Sequence, residues 1–264
     1  MFETLKKIIQ YPRLTIKYPR QPIDSSLFIG KPQVDTAKCN MCMECISRCP
    51  SSAIVETSDN KIGINLDECI FCGLCEEVCT RFAVKMTNEF ELAQKSRDYL
   101  RKSPIVIDER NIPDEEYEII GASLEKKISK VFGRSLQIRE VDAGSCNGCD
   151  YEINALNNSF NDIERFGIHF VASPRHADML LVTGTASRNM ELALVKTYNA
   201  APDPKLVVAV GACSCSGGIF RNSYATRNGI DCIVPVDVYI PGCPPRPQAI
   251  LYGILKAVDR IKEE

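Results

Sequence analysis

Fourteen cysteines among 264 residues set the chemistry this chain could perform. Eight of them fall in two runs, CNMCMECISRC from 39 and CIFCGLCEEVC from 69. The second run repeats the first at an offset of 30: Cys39/Cys69, Cys42/Cys72, Cys45/Cys75 and Cys49/Cys79. Each half reads C-x₂-C-x₂-C-x₃-C. In that pattern three successive thiolates wrap one corner of an iron–sulfur cube, and the fourth cysteine ligates the other cube. The spacing therefore predicts one [4Fe–4S] cluster on Cys39, Cys42, Cys45 and Cys79. It predicts another on Cys69, Cys72, Cys75 and Cys49. Zinc fits poorly, because it takes four sulfurs around one ion, usually from two separated pairs. Pro50 follows the first run as this motif prefers, whereas Thr80 replaces the proline after the second.

A second set is looser. The stretch DAGSCNGCDYEIN carries Cys146 and Cys149, half of a metal site. Cys213, Cys215, Cys232 and Cys243 are candidates to complete it. KLVVAVGAC and VDVYIPGC each run an apolar segment into a glycine turn and then a cysteine. Three loops at one sheet edge would thus gather Cys146, Cys149, Cys213 and Cys243. On the residues alone, that set could hold a third iron–sulfur cluster or one structural zinc. Cys215 competes with Cys213 as a ligand, and Cys232 reads as a small buried hydrophobe. His176 reads as a structural histidine ahead of a strand, and His169 as ordinary packing. Glu152 sits three residues after Cys149, on the first turn of an expected helix. It is either a proton-relaying carboxylate or an acid stabilised by the helix dipole.

The elements that must position these residues follow from pattern. Residues 1–35, broken by four prolines, read as an extended leader arm. Residues 36–87 contain the cysteine repeat, with a hairpin expected in VETSDNKIGINLDE. Residues 88–134 are dense in charge of both signs and read as a solvated linker with short helices, one in QKSRDYLRK and one around DEEYEIIGASLEKKISKVF. In residues 135–264, LQIREVDA, IHFVAS, DMLLVTG, KLVVAVG and VDVYI read as strands, and 148–158, 187–200 and 246–262 as helices. That alternation predicts a mostly parallel sheet covered by helices, with ligand-bearing loops at the carboxyl ends of its strands. The cysteine repeat resembles the bacterial two-cluster ferredoxins over about 50 residues, which implies an α+β ferredoxin-like domain; the alternation that follows it predicts an α/β domain.

Bulk properties narrow the setting. The chain is 45% hydrophobic and 25% charged, as soluble globular proteins are. A net charge of −2 gives no basic footprint for nucleic acid. No apolar run approaches the roughly 18–20 residues that cross a bilayer, and MFETLKKIIQ has no signal-peptide pattern. A cytoplasmic location is expected, where clustered cysteines bind metal more often than they pair as disulfides.

CNGCDYEI, ERFGIHFVASPRHADMLLVTG, APDPKLVVAVGACSCSGGIF and VPVDVYIPGCPP resemble the small subunit of energy-converting, membrane-associated [NiFe] hydrogenases, formate hydrogenlyase among them. That family is similar in turn to the 20 kDa subunit of respiratory complex I. The leader and cysteine repeat resemble the ferredoxin-like subunit of the same complexes, usually a separate chain. The resemblance implies a flavodoxin-like fold and a [4Fe–4S] cluster on Cys146, Cys149, Cys213 and Cys243, three clusters in all. It implies a nickel site on a partner large subunit, since no C-x₂-C pair remains here after residue 149. It also implies membrane subunits that hold the chain at the inner face of the cell membrane. The electron donor would be a ferredoxin, a formate-oxidising component or a carbon monoxide dehydrogenase component. Glu152 becomes a candidate for the proton route. A complex I-like quinone or sulfur reductase without nickel is the alternative; against it, complex I-type subunits carry adjacent cysteines where this chain has the spaced Cys146/Cys149 pair.

Overall fold

A computed structural model describes residues 2–12, 14–19, 21, 23–101 and 134–260. A short helix, α1 (Phe2–Gln10), opens the chain, so the leader is not extended throughout. Residues 15–18 lie along the chain's own C-terminal half. Ile16 N–H donates to Phe160 O at 2.9 Å, and the Arg165 guanidinium donates to the carbonyls of Ile16 and Tyr18 at 2.5 and 2.7 Å. The end of the leader is strand β1 (Pro32–Val34).

The cysteine repeat folds as the repeat demands. Helix α2 (Glu44–Arg48), strands β2 (Ile54–Glu56) and β3 (Ile62–Ile64), helix α3 (Leu74–Glu77) and strand β4 (Val84–Met86) follow in order. β2 and β3 form the expected hairpin with Ile54 opposite Ile64, and β1 pairs antiparallel with β4. The offset of 30 reaches the backbone. Met41 and Phe71 have φ of 55° and 56°, Met43 and Gly73 62° and 79°, and Ser52 and Phe82 both 52°. Two short helices entered from left-handed residues turn their cysteines inward over Ile54, Ile62, Ile64 and Val84.

The C-terminal half is the expected α/β layer structure. Strand β5 (Leu136–Asp142) leads to α4 (Gly148–Ala155) and β6 (Ile168–Phe170). Then come β7 (Met179–Thr183), α5 (Arg188–Ala200), β8 (Leu206–Val210), the one-turn α6 (Ala212–Ser216), β9 (Val238–Ile240) and α7 (Pro247–Arg260). The five strands are all parallel, in the order β6-β5-β7-β8-β9. That is the flavodoxin-like order, in which a crevice opens at the carboxyl ends where the winding reverses. β7, β8 and β9 are buried along their whole length, as strands covered on both faces must be.

The linker departs from its reading as a solvated spacer. Leu92, Ala93 and Leu100 are buried. Gln94 exchanges backbone hydrogen bonds with Tyr239 at 2.8 and 3.0 Å, which covers the open edge of β9. A 3₁₀ turn at Arg97–Leu100 takes the place of the first linker helix. Its charges face inward: the fully buried Asp67 carboxylate accepts from Arg97 Nε at 2.7 Å and from Arg101 Nη2 at 2.8 Å. Charge density looked like solvation in the sequence because the anionic partner lies some thirty residues upstream. The second linker helix, around DEEYEIIGASLEKKISKVF, lies outside the described residues.

Candidate metal centres

The first half of the chain brings eight thiols into two groups of four. One cavity is lined by Cys69, Cys72, Cys75 and Cys49, with Pro50, Phe71 and Gly73 beside them. A second is lined by Cys39, Cys42, Cys45 and Cys79, with Arg81 and Ala83. Each group takes three cysteines from one half of the repeat and the last from the other. Burial and neighbouring thiols push Cys75 up to about 11. Burial chiefly pushes Cys69 up to about 12 and raises Cys45. Cys79 goes the other way: burial raises it, but the amides of Val84, Ala83, Arg81 and Phe82 outweigh that and stabilise its thiolate. The amide of Ala83 lies 3.2 Å from Cys79 Sγ, and that of Ala53 3.3 Å from Cys49 Sγ, again at the offset of 30.

The third group is assembled by topology. Cys146 and Cys149 follow β5, Cys213 rides on α6 after β8, and Cys243 follows β9. All four are close enough to perturb one another. Burial and then the thiols of Cys213, Cys243 and Cys146 raise Cys149, and burial with Cys243 and Cys146 pushes Cys213 up to about 11. Loop backbones hold the group closed: Ala212 N–H donates to Gly242 O at 2.8 Å, and Gly211 N–H to Ile240 O at 2.8 Å. Gly211 is required by shape. Its φ is 90°, and a Cβ there would lie 2.5 Å from Cys149 Sγ. Buried, mutually repelling thiols are poor acids alone and give up protons readily to a cationic metal. Among the described residues, no three His, Cys, Asp or Glu side chains close on a single metal ion. In the first domain the thiols instead ring cavities. Sulfur donors of this kind suit an iron–sulfur cluster.

The three groups stand in series. Cys243 feels the charge of Cys72, so the second and third groups are neighbours across the boundary between the two halves. Phe71 lines the cavity of the second group and also a pocket that Cys243 and Pro244 line. The Cys39/Cys42/Cys45/Cys79 group adjoins the second through Cys45, whose charge Cys75 feels.

Other sequence candidates sort by burial. Cys215 is fully buried, with its thiol 3.6 Å from Ile240 O and 3.8 Å from Ala209 O, behind the third group. Cys232 is exposed rather than buried, because its 3₁₀ turn packs Ile230 inward and turns the thiol out beside Asp231. His176 is exposed, and His169 is partly exposed 3.9 Å from Glu164. Glu152 is half-buried; burial raises its carboxyl above the usual range, against the pull of Arg246. Sequence reading missed Glu140. It lies beside Asp150, and burial with that neighbour pushes its carboxyl up to about 8. Asp150 itself is lowered, since hydrogen bonds from Glu140, Ser145 and Thr183 outweigh its burial. A charged residue inside the apolar alternation of β5 was the available signal.

Fold and thiol sets together define an iron–sulfur electron-transfer chain. Residues 146–257 match the family described as NADH ubiquinone oxidoreductase, 20 Kd subunit, and residues 31–80 match a 4Fe-4S dicluster domain. Formate hydrogenlyase subunit 7 of Escherichia coli is 49% identical over 151 residues, covering 57% of this chain and 58% of that protein. Probable membrane-bound hydrogenase subunit mbhJ of Pyrococcus furiosus is 51% identical over 142 residues, 52% of this chain and 84% of that protein. An NADH-quinone oxidoreductase subunit of Geotalea daltonii is 51% identical over 148 residues, 55% of this chain and 84% of that protein. A solved membrane-bound sulfane sulfur reductase, an archaeal respiratory membrane complex, has a chain 39% identical at a TM-score of 0.45, covering 51% of this chain and 75% of that one. The chain belongs to the 20 Kd subunit family of NADH ubiquinone oxidoreductase, with a dicluster ferredoxin domain in the same polypeptide.

Proposed function

We propose that this chain is the electron-transfer subunit of a multisubunit [NiFe] hydrogenase. It would relay low-potential electrons through three [4Fe–4S] clusters, to or from the nickel site of a partner large subunit. The observation that carries this reading is the serial placement of three four-thiol groups, with Phe71 lining both the cavity of the second group and the pocket that Cys243 of the third lines. When bound, such clusters supply one-electron transfer and no bond chemistry. The proposed ligands are Cys39, Cys42, Cys45 and Cys79; Cys69, Cys72, Cys75 and Cys49; and Cys146, Cys149, Cys213 and Cys243.

The donor would meet the first group, where Cys42 is exposed. A ferredoxin, a formate-oxidising component or a carbon monoxide dehydrogenase component fits that role. The large subunit would cover the third group, where Cys146 and Cys243 are exposed, as is Tyr151 two residues after Cys149. No described helix is long and apolar enough to cross a membrane. Attachment at the inner face of the cell membrane would therefore come through partner subunits. Glu152, raised by burial one turn after Cys149, is the proposed proton relay towards the partner. A Glu152→Gln complex should keep its iron signals and lose hydrogen evolution; unchanged evolution removes that role.

The family match favours one alternative, a complex I-like quinone or sulfur reductase without nickel. Metal content of the natively purified complex separates the two. Nickel near one per complex, with iron beyond the roughly 12 atoms that three cubes need, supports the hydrogenase. A large partner present with iron near that value and no nickel supports the reductase.

A further inference from the structure

The second and third thiol groups are joined by more than packing. The segment that begins with Cys213 runs directly onto both ligand-bearing segments of the second group. Ser216, fully buried on α6, donates its hydroxyl to Asp67 O at 2.7 Å, two residues before Cys69. Five residues on, Arg221 donates from Nη2 to Ser51 O at 3.2 Å, two residues after Cys49. Arg221 Nη1 also pairs with Glu68, the residue immediately before Cys69. The linker closes the same knot: Arg101 pairs with Asp67 and Glu68, while Arg97 pairs with Asp67 and Asp231 and donates to Asn228 O. Three guanidinium groups (Arg97, Arg101, Arg221) face three carboxylates (Asp67, Glu68, Asp231). The charges sum to zero within the network, and its bonds span the segments that carry the two thiol groups. A planar guanidinium that bridges a carboxylate and a carbonyl holds both at fixed separation, which a flexible ammonium does not.

We propose that residues 213–221 are a spacer that fixes the separation and orientation of the second and third cluster sites, with Ser216 and Arg221 as its positioning residues. This rests on the relay proposed above, and deepens it. The polar partners of Arg221 and Ser216 on the second group's segments are Asp67 O, Ser51 O and Glu68 rather than its thiols, so they act through the peptides that carry its ligands. The first and second groups are tied by the repeat itself and do not depend on this spacer.

The test uses the whole complex, purified anaerobically, carrying Arg221→Met, Arg221→Lys or Ser216→Ala. Iron per chain is counted, and electron paramagnetic resonance of the fully reduced complex reads the spin–spin interactions between neighbouring clusters. The expected result is wild-type iron in all three variants, with the interaction between second and third sites weakened or broadened. The interaction between first and second sites should stay as in the wild type. Arg221→Lys, which keeps the charge, should resemble Arg221→Met, because reach and fork matter rather than sign. Wild-type interactions in every variant would overturn the proposal. So would equal disturbance of both interactions, or loss of iron, since either would make these residues general supports. A wild-type complex without iron at the third site would instead sink the relay reading.

Discussion

The two halves of this chain build thiol sites in opposite ways. In the first half, all eight thiols lie within 41 residues, and each four-thiol group borrows one cysteine from the other half of the repeat. In the second half, four thiols spread over 98 residues are collected by three strand ends. The first kind of site is local and doubled, so its backbone can be compared with itself. Met43 occupies the left-handed position that Gly73 occupies in the other copy, which shows that a side chain is tolerated there. The second kind is single and closed by neighbouring loops, so its tolerances are narrow. Gly211 has no counterpart, and a methyl group there would strike a proposed ligand.

Removing thiols should break the comparison most sharply. Cys243→Ala should cost the third site its iron, about a third of the total for three cubes, while the spectra of the first half stay intact. Cys49→Ala should instead remove the cluster of Cys69, Cys72 and Cys75 and spare that of its sequence neighbours Cys39, Cys42 and Cys45. Iron counts with paramagnetic resonance read both, and loss of the neighbouring cluster instead would refute crossed ligation.

Next in size is the contact between the halves. Asp67→Ala leaves Arg97 and Arg101 without their buried carboxylate and should destabilise the folded chain by about 3–5 kcal/mol in denaturant unfolding. The paired glycine replacements come third. Gly73→Ala meets only Met86 Cγ, at 3.9 Å, and should cost about 1 kcal/mol of left-handed strain with full iron retained. Gly211→Ala adds about 1–3 kcal/mol of strain in a region that glycine alone favours, together with the clash on Cys149, and should lose third-site iron. Equal behaviour of the two variants would erase the distinction between tolerant and intolerant sites.

The smallest effect concerns protons. Glu140 holds its proton up to about 8 in the folded chain, against an ordinary 4.5. The native state therefore binds more protons than the unfolded state between those values, and this group's contribution makes stability fall as pH rises through that window. Glu140→Gln should flatten that part of the slope, as unfolding midpoints at its two ends would show. A slope unchanged by the substitution would mean that Glu140 titrates normally.

The sequence alone determined the doubled cysteine pattern, the hairpin between its halves and the five strands with their helices. Spacing and alternation are properties of neighbouring residues, and they predicted a mostly parallel sheet; its flavodoxin-like order was implied only by the family resemblance and is set by how the strands pair. The serial placement of the thiol groups, the inward-facing linker arginines, the helix in the leader, the exposure of Cys232 and the Glu140–Asp150 pair were decided by tertiary structure. Each depends on which segments meet across long stretches of chain. An arginine in a charged linker looks solvated until the buried carboxylate it must neutralise, Asp67, is brought against it. A carboxyl on a strand looks ordinary until burial beside a second carboxylate keeps its proton on.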